Sequence, residues 1–407
     1  MRAHKSVIVA AMFVMAAACG APEASLEDKA HDLLYLRTST GVSLVKAGSS
    51  SATFHSSTAE PAPDWKTVVR SDREDSQTNL TAVDPTTNET LWERSVPGML
   101  KVKVVSPGAR FVALAPDSGR YLSRPSQTRL TITGRDAETP RTIDLEGNYE
   151  PEAFSVDGQH LFVVRYLPAG NPNRYQVRRL NVATGKVRDV FSVDKELQEA
   201  MRGTARVQEM SPDGTRLYTL YSVDTPEGRH SFVHVLSLDE LWAHCIDLPH
   251  GFAMEGHNRS ALGVAPDNEH VYVTDAAEGM VAELDADRLR VSRTTELDLA
   301  SAFAGAQLTV AKDGDSLFVG SGPRLVQLST EDLTELGRWD MPDKITGIQS
   351  SDTDNIYVGT KAEVAVIDTE TGEQTETFDP PGVGSIQGLG PVTKGLDPAR
   401  TKIVCGC

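Results

Sequence analysis

A short polar turn followed by a β-rich triplet recurs along this chain about every 48 residues, and no other feature constrains the fold as much. The recurrence is plain in Ser155-Val156-Asp157-Gly158-Gln159-His160-Leu161-Phe162, in Ser211-Pro212-Asp213-Gly214-Thr215-Arg216-Leu217-Tyr218 and in Ala265-Pro266-Asp267-Asn268-Glu269-His270-Val271-Tyr272. It returns around Trp65, Phe111, Leu317, Tyr357 and Ile403. In such a turn Pro fixes φ at the first corner, Asp accepts a downstream amide, and Gly or Asn takes the positive φ. Residues 344–378 show a whole unit. Strands are predicted at Ile345-Thr346-Gly347-Ile348, Ile356-Tyr357-Val358, Val364-Ala365-Val366-Ile367 and Thr375-Glu376-Thr377-Phe378. Four strands of this length cannot bury both faces of their own sheet, whereas several copies packed face to face around an axis can. The chain is therefore expected to be all-β, a β-propeller of four-stranded antiparallel blades.

The two ends of the chain explain each other. Leu33-Leu34-Tyr35-Leu36-Arg37 and Val42-Ser43-Leu44-Val45 read as strands three and four of a blade, and residues 392–404 as strands one and two. A ring closed by both termini in one blade leaves no open sheet edge. Eight blades are favoured on this count. Seven is the alternative, because residues 51–72 make a poor first and second strand.

Ahead of the repeats, Arg2 and Lys5 precede the apolar run Val7-Ile8-Val9-Ala10-Ala11-Met12-Phe13-Val14-Met15, too short for a permanent span and suited to an export signal. The run ends in Ala16-Ala17-Ala18-Cys19-Gly20. This segment resembles the lipobox of bacterial lipoproteins, which implies lipidation of Cys19. The three alanines also suit an ordinary signal peptidase, so simple secretion stays open. Residues 1–18 are then the signal peptide, 19–30 a tether and 31–407 the propeller, held at the outer side of the cytoplasmic membrane or in the periplasm by lipid alone. The formal net charge of −17 disfavours nucleic acid, whose binders present a basic stripe.

Val271-Tyr272-Val273-Thr274-Asp275 and Val364-Ala365-Val366-Ile367-Asp368-Thr369-Glu370-Thr371-Gly372 carry a family likeness. They resemble the YVTN-type, quinoprotein-dehydrogenase-like propeller repeats of exported bacterial proteins, closely in blades six to eight and loosely in two and three. Leu80-Thr81-Ala82-Val83-Asp84 with Leu91-Trp92-Glu93-Arg94 is similar to one PQQ-type repeat. The resemblance implies fold and not activity.

Aligned on the turn, Lys101, Lys103, Glu150, Glu152, Arg206, Glu209, Arg259, Gln307, Thr346 and Lys394 fall on or beside the innermost strands, with His250, His257 and Asn258 in a loop entering one of them. The channel-rim binding candidates are Glu150, Glu152, Arg206, Glu209, His257, Asn258, Arg259 and Gln307. They read either as a solvated wall of internal ion pairs or as a site for a charged group or cation. His250, His257 and Glu209 are the metal-ligand candidates. Glu255 lies in the same loop as His250 and His257, but one loop supplies two ligands and no clear third is found, so no metal or cofactor is assigned and only a divalent cation stays open. The sequence holds no G-x-S-x-G elbow, P-loop or dinucleotide fingerprint, and no catalytic residue is assigned. Propeller lactonases use rim carboxylates, an Asn and a divalent cation. That resemblance would give Glu150, Glu209 and Asn258 those roles.

Cys245 is placed on an outer strand, half a ring from Cys405 and Cys407, whose two-residue spacing lies at the limit of disulfide geometry. Short helices are expected in the inserts Val193-Asp194-Lys195-Glu196-Leu197-Gln198-Glu199-Ala200-Met201-Arg202 and Asp298-Leu299-Ala300-Ser301-Ala302-Phe303-Ala304. The expected role is a monomeric binding or scaffold module for an envelope protein, peptide or glycan. The alternative is a propeller enzyme, a lactonase-like hydrolase or a cofactor-dependent oxidoreductase, working at the channel mouth.

Overall fold

The computed structural model describes residues 31–49, 52–116, 126–170, 172–193, 200–226, 228–254, 259–299, 305–351, 355–379 and 385–395. Eight sheets follow one another around the ring, seven of them built on four consecutive antiparallel strands and the eighth joining three strands from the N-terminal side to one from the C-terminal side. They form an eight-bladed propeller. Blade 1 is the closing blade, and the first strands of blades 2 to 8 are Ala59–Pro61, Leu100–Val105, Asn148–Phe154, Thr204–Met210, Ser260–Val264, Ala306–Val310 and Gly347–Ser350. These inner strands face the channel. Inner strands of neighbouring blades touch from blade 2 to blade 4, from blade 5 to blade 8 and from blade 8 to the closing blade.

The turns behave as their residues dictate. Asp213 Oδ1 accepts the Thr215 amide at 3.0 Å and the Ser211 hydroxyl at 2.6 Å, while Gly214 takes φ 73°. In blade 8, Asp368 Oδ1 accepts the amides of Glu370 and Thr371 in the hairpin between the third and fourth strands. The apolar side chains between these turns meet across blade boundaries: Tyr218, Leu220 and Val233 of blade 5 pack against Leu262, Val271 and Val273 of blade 6. No helix among the described residues is long and apolar enough to cross a membrane.

Closure differs in detail from the sequence reading. His31–Thr38 is the second strand of blade 1, Gly41–Lys46 the third and Ala52–Ser56 the fourth, with Ile386–Gly395 as the inner strand. The C-terminal side thus supplies one strand among the described residues and the N-terminal side three. Burial explains the assignment, since Leu34 and Leu36 are fully buried with pairing strands on both sides, whereas Ala52–Ser56 buries only Phe54. Residues 51–72 read poorly as two strands because they hold the last strand of blade 1, a three-residue first strand of blade 2 and the start of its second. The last turn marker, near Ile403, lies outside the described residues.

Two local expectations shift as well. The inner strand of blade 8 begins at Gly347, because the Ile345 amide is bound to the Gly322 carbonyl and its side chain is buried between blades. Just before the first insert, Phe191–Ser192 runs parallel to the outer strand of blade 5 as a fifth strand. Residues 194–199 and 300–304, where the two helices are expected, lie outside the described residues.

Candidate functional site in the channel of blades 3 to 5

The inner strands of blades 3, 4 and 5 share an irregularity. Pairing with the second strand runs Val102↔Leu114 then Val104↔Ala113, Pro151↔Val163 then Ala153↔Phe162, and Ala205↔Tyr221 then Val207↔Leu220. The skipped residues are Lys103, Glu152 and Arg206. Each is the extra residue of a β-bulge, a device that bends the strand and re-aims a side chain. Pro151 has no amide hydrogen to lose and suits such a position on an edge strand. In blades 2, 6, 7 and 8 the corresponding pairing is uninterrupted, while in the closing blade it is irregular at two places, between Leu34 and Leu36 and between Arg37 and Thr38.

Two adjoining cavities open on these bulges. The first, about 310 Å³, is lined among others by Glu150, Glu152, Tyr166, Arg206 and Tyr221. The second, about 550 Å³, lies toward the turn markers and is lined among others by Arg37, Trp65, Glu152, Glu209 and Gln349. Lys103, Glu152 and Gln208 line both. Tyr166 donates its hydroxyl to Glu150 Oε2 at 3.1 Å, and Arg206 Nε donates to Ser222 Oγ at 2.7 Å. Behind this wall the rings of Tyr175 and Tyr221 stack at 5.0 Å, and those of Tyr221 and Phe232 at 5.4 Å. In the second cavity the Arg37 guanidinium stands 5.3 Å over the Trp65 ring, whose carbonyl accepts the Tyr35 hydroxyl at 2.5 Å.

Glu152 is the electrostatic centre. Its Oε1 accepts from Gln208 Nε2 at 3.2 Å, and its buried Oε2 has no hydrogen-bond partner. Burial, and next the charge of Glu150, push its carboxyl up to about 7, against the pull of Gln208. Enclosure by the ring likewise raises Glu209 to about 7, with Arg37 opposing. Glu209 is nonetheless wetted along the channel. We assign the firmer displacement to Glu152, because water still solvates a Glu209 carboxylate.

Of the rim candidates, Glu150, Glu152, Arg206 and Glu209 come together in these cavities. Arg259 and Gln307, beside and on the inner strands of blades 6 and 7, line neither. His257 and Asn258 lie outside the described residues. His250 lines a separate cavity with Arg229 and His230, so it does not meet Glu209. No group of three His, Cys, Asp or Glu side chains among the described residues converges as a metal site requires. Thr346 has a structural use, donating its hydroxyl to the Gly359 and Thr360 carbonyls. Cys245 is half-buried on the outer strand of blade 5, its thiol 3.9 Å from Met201 Sδ; Cys405 and Cys407 lie outside the described residues.

Gln208, Arg37, Gln349, Tyr166, Tyr221 and Trp65 belong to the site and escaped the sequence reading. Tyr166 and Tyr221 sit on second strands, which the inner-strand alignment does not reach. A usable signal for the bulges was the adjacent apolar pair that breaks alternation in Lys101-Val102-Lys103-Val104-Val105 and Glu150-Pro151-Glu152-Ala153-Phe154.

No family model matches the sequence, and no curated protein matches it. Among solved structures, apo AztD from Citrobacter koseri shares 13% identity over 90% of this chain and 98% of its own, with a TM-score of 0.58. The dihydro-heme d1 dehydrogenase NirN, solved in complex with DHE, shares 12% over 89% of this chain and 74% of its own, with a TM-score of 0.52. Identities this low carry the β-propeller architecture from those proteins to this one and nothing of their chemistry.

Proposed function

We propose that this chain is an exported binding propeller that takes a glycan in the paired cavities of blades 3 to 5. One observation carries the reading: three successive inner-strand bulges turn Lys103, Glu152 and Arg206 into one channel wall. A sugar hydroxyl both donates and accepts. The wall offers acceptors at Glu150, Glu152 and Glu209 and donors at Lys103, Arg206 and Gln208, with the Tyr166, Tyr221 and Trp65 side chains alongside. The unpartnered Glu152 Oε2 awaits a donor. The test is a glycan array followed by calorimetry on the full chain. A retained glycan should bind at least about tenfold more weakly to the Glu152→Gln/Gln208→Ala double variant and unchanged to His250→Ala. No retained glycan, or equal binding by the double variant, would defeat the reading and return the site to a peptide or protein partner.

A second reading, hydrolysis in the same cavities, is favoured by the Glu152 carboxyl held near neutrality, as a general acid requires, with the solvated Glu209 carboxylate lining the same cavity. Product release that stops in Glu209→Gln while binding persists would establish it. Intact ligand after prolonged incubation would dismiss it.

Residues 1–18 serve in this proposal as the export signal and Cys19 as the lipidated N-terminus, supported by Arg2, Lys5, the apolar run and Ala16-Ala17-Ala18-Cys19. The intact mass of chain extracted from membranes should show diacylglycerol on Cys19, and Cys19→Ser should release the chain. A chain beginning at residue 19 without acyl groups would refute the anchor, and an unprocessed chain would refute export.

A further inference from the structure

Blade 4 carries another cavity, away from the channel, of about 300 Å³. It is lined by His160, Arg179, Asn181, Thr184, Lys186 and Arg188, at the end of the blade that holds its marker turn and its last hairpin. Strand alternation sets His160 and Arg179 on the same face as Phe162 and Val177, which pack on Leu217 and Leu236 of blade 5. The cavity therefore opens on the face of blade 4 that is turned toward blade 5. In a chain of formal charge −17, its lining holds three permanent cations, one histidine and no acid.

The register makes this arrangement costly when empty. Arg179 and Arg188 are direct cross-strand partners, and like charges so placed repel. The next pair in the same ladder, Arg178 and Asp189, forms an ion pair at 2.5 Å on the other face. Arg179 Nε and His160 Nδ1 are buried with no hydrogen-bond partner. Asp157, whose charge reaches His160, is already engaged, accepting from the Ser155 hydroxyl and the Gln159 amide. Asn181 Oδ1 accepts both the amide and the hydroxyl of Thr184 at 2.8 Å, so its amino group remains to donate. Burial and the charges of Arg179 and Arg188 hold His160 below its ordinary value, against Asp157.

We propose that this cavity binds a phosphate-type oxyanion, a phosphomonoester whose oxygens bridge Arg179 and Arg188 and accept from Asn181 and His160. Two forked guanidiniums facing each other suit such a group, and the volume leaves room for part of its substituent. The site is independent of the channel and stands or falls without it.

The test is calorimetry on the full chain at low ionic strength, titrating inorganic phosphate and, separately, water-soluble dihexanoyl phosphatidic acid, with chloride as the screening control. Phosphate should bind and raise the thermal midpoint. Arg179→Gln/Arg188→Gln should weaken binding at least about tenfold and abolish the midpoint shift. Arg174→Gln, exposed on the same strand and outside the cavity, should behave as the parent. Without phosphate, Arg188→Gln should be no less stable than the parent, because the repulsion is relieved. Should the double variant fail to fold, the exposed Lys186→Gln carries the same test with a smaller loss. Tighter binding of the lipid headgroup would assign the anion to a membrane, and equal or tighter binding of inorganic phosphate to a soluble solute; either supports the site. Neither ligand binding, chloride acting as phosphate does, or variants that bind like the parent would overturn it.

Discussion

Glu152→Gln should stabilise the propeller in mild alkali and leave it unchanged in acid. A carboxyl raised from 4.5 to about 7 on folding carries a penalty of about 3 kcal/mol when ionised. Below about pH 4.5 both folded and unfolded chains hold the proton and the group contributes nothing. As pH rises toward 7 the unfolded chain ionises while the folded one resists, so stability falls. Above about 7 the full penalty is present. Gln keeps an oxygen to accept from Gln208 Nε2 but places an amino group where Oε2 stood without a partner. That new donor, and channel water reaching the cavity, reduce the expected gain to about 1–2 kcal/mol at about pH 8.5. Denaturant or thermal unfolding of parent and variant at about pH 4, 6 and 8.5 reads it. A variant less stable than the parent at high pH, or a gain of the same size at pH 4, would refute the buried-carboxyl reasoning.

Three further outcomes follow from the same geometry. If a glycan hydroxyl donates to Glu152 Oε2, it favours the carboxylate, so affinity should tighten as pH rises through about 7, and calorimetry across that range should lose the slope in Glu152→Gln. Tyr357 of blade 8 donates to buried Asp32 Oδ2 of the closing blade at 2.7 Å, so Tyr357→Phe should cost about 1.5–3 kcal/mol in denaturant unfolding. A side chain at Gly347 would meet the Leu389 amide nitrogen at 2.4 Å, so Gly347→Ala should push the closing strand off blade 8 and cost about 1–3 kcal/mol by the same measurement.

The architecture was legible because its signals are local and repeated. Ser211, Asp213 and Gly214 make a turn whose chemistry can be read without neighbours, and its recurrence sets the number of blades. Register at the ends was less legible, since Leu33-Leu34-Tyr35-Leu36 is apolar on both faces and reads equally as a second or third strand. Only pairing to Ile386–Gly395 decides it. Within the site, Glu150, Glu152, Arg206 and Glu209 were found because inner-strand position follows from the repeat. Gln208 was missed because strict alternation assigns only one of two neighbouring residues to the channel, whereas Gln208 and Glu209, in regular register past the bulge, both line the second cavity at this edge strand.

The bulges themselves bear on where the proposed ligand would sit. Blades 6 and 8, whose sequences resemble the repeat family most closely, pair their inner strands without interruption. A regular inner strand gives each blade the same wedge and holds the disc to a fixed geometry. Blades 3 to 5 depart from it at matching places, and an accidental defect would not recur three times with a charged residue at each. An inner strand is the edge of its sheet, so a bulge there costs little pairing. The charged extra residue can then face the channel while apolar neighbours such as Ala153 and Phe154 stay buried between blades. On the function proposed above, deviation from the repeat in these three blades, more than any residue the blades have in common, is what would shape that stretch of the channel wall for a ligand.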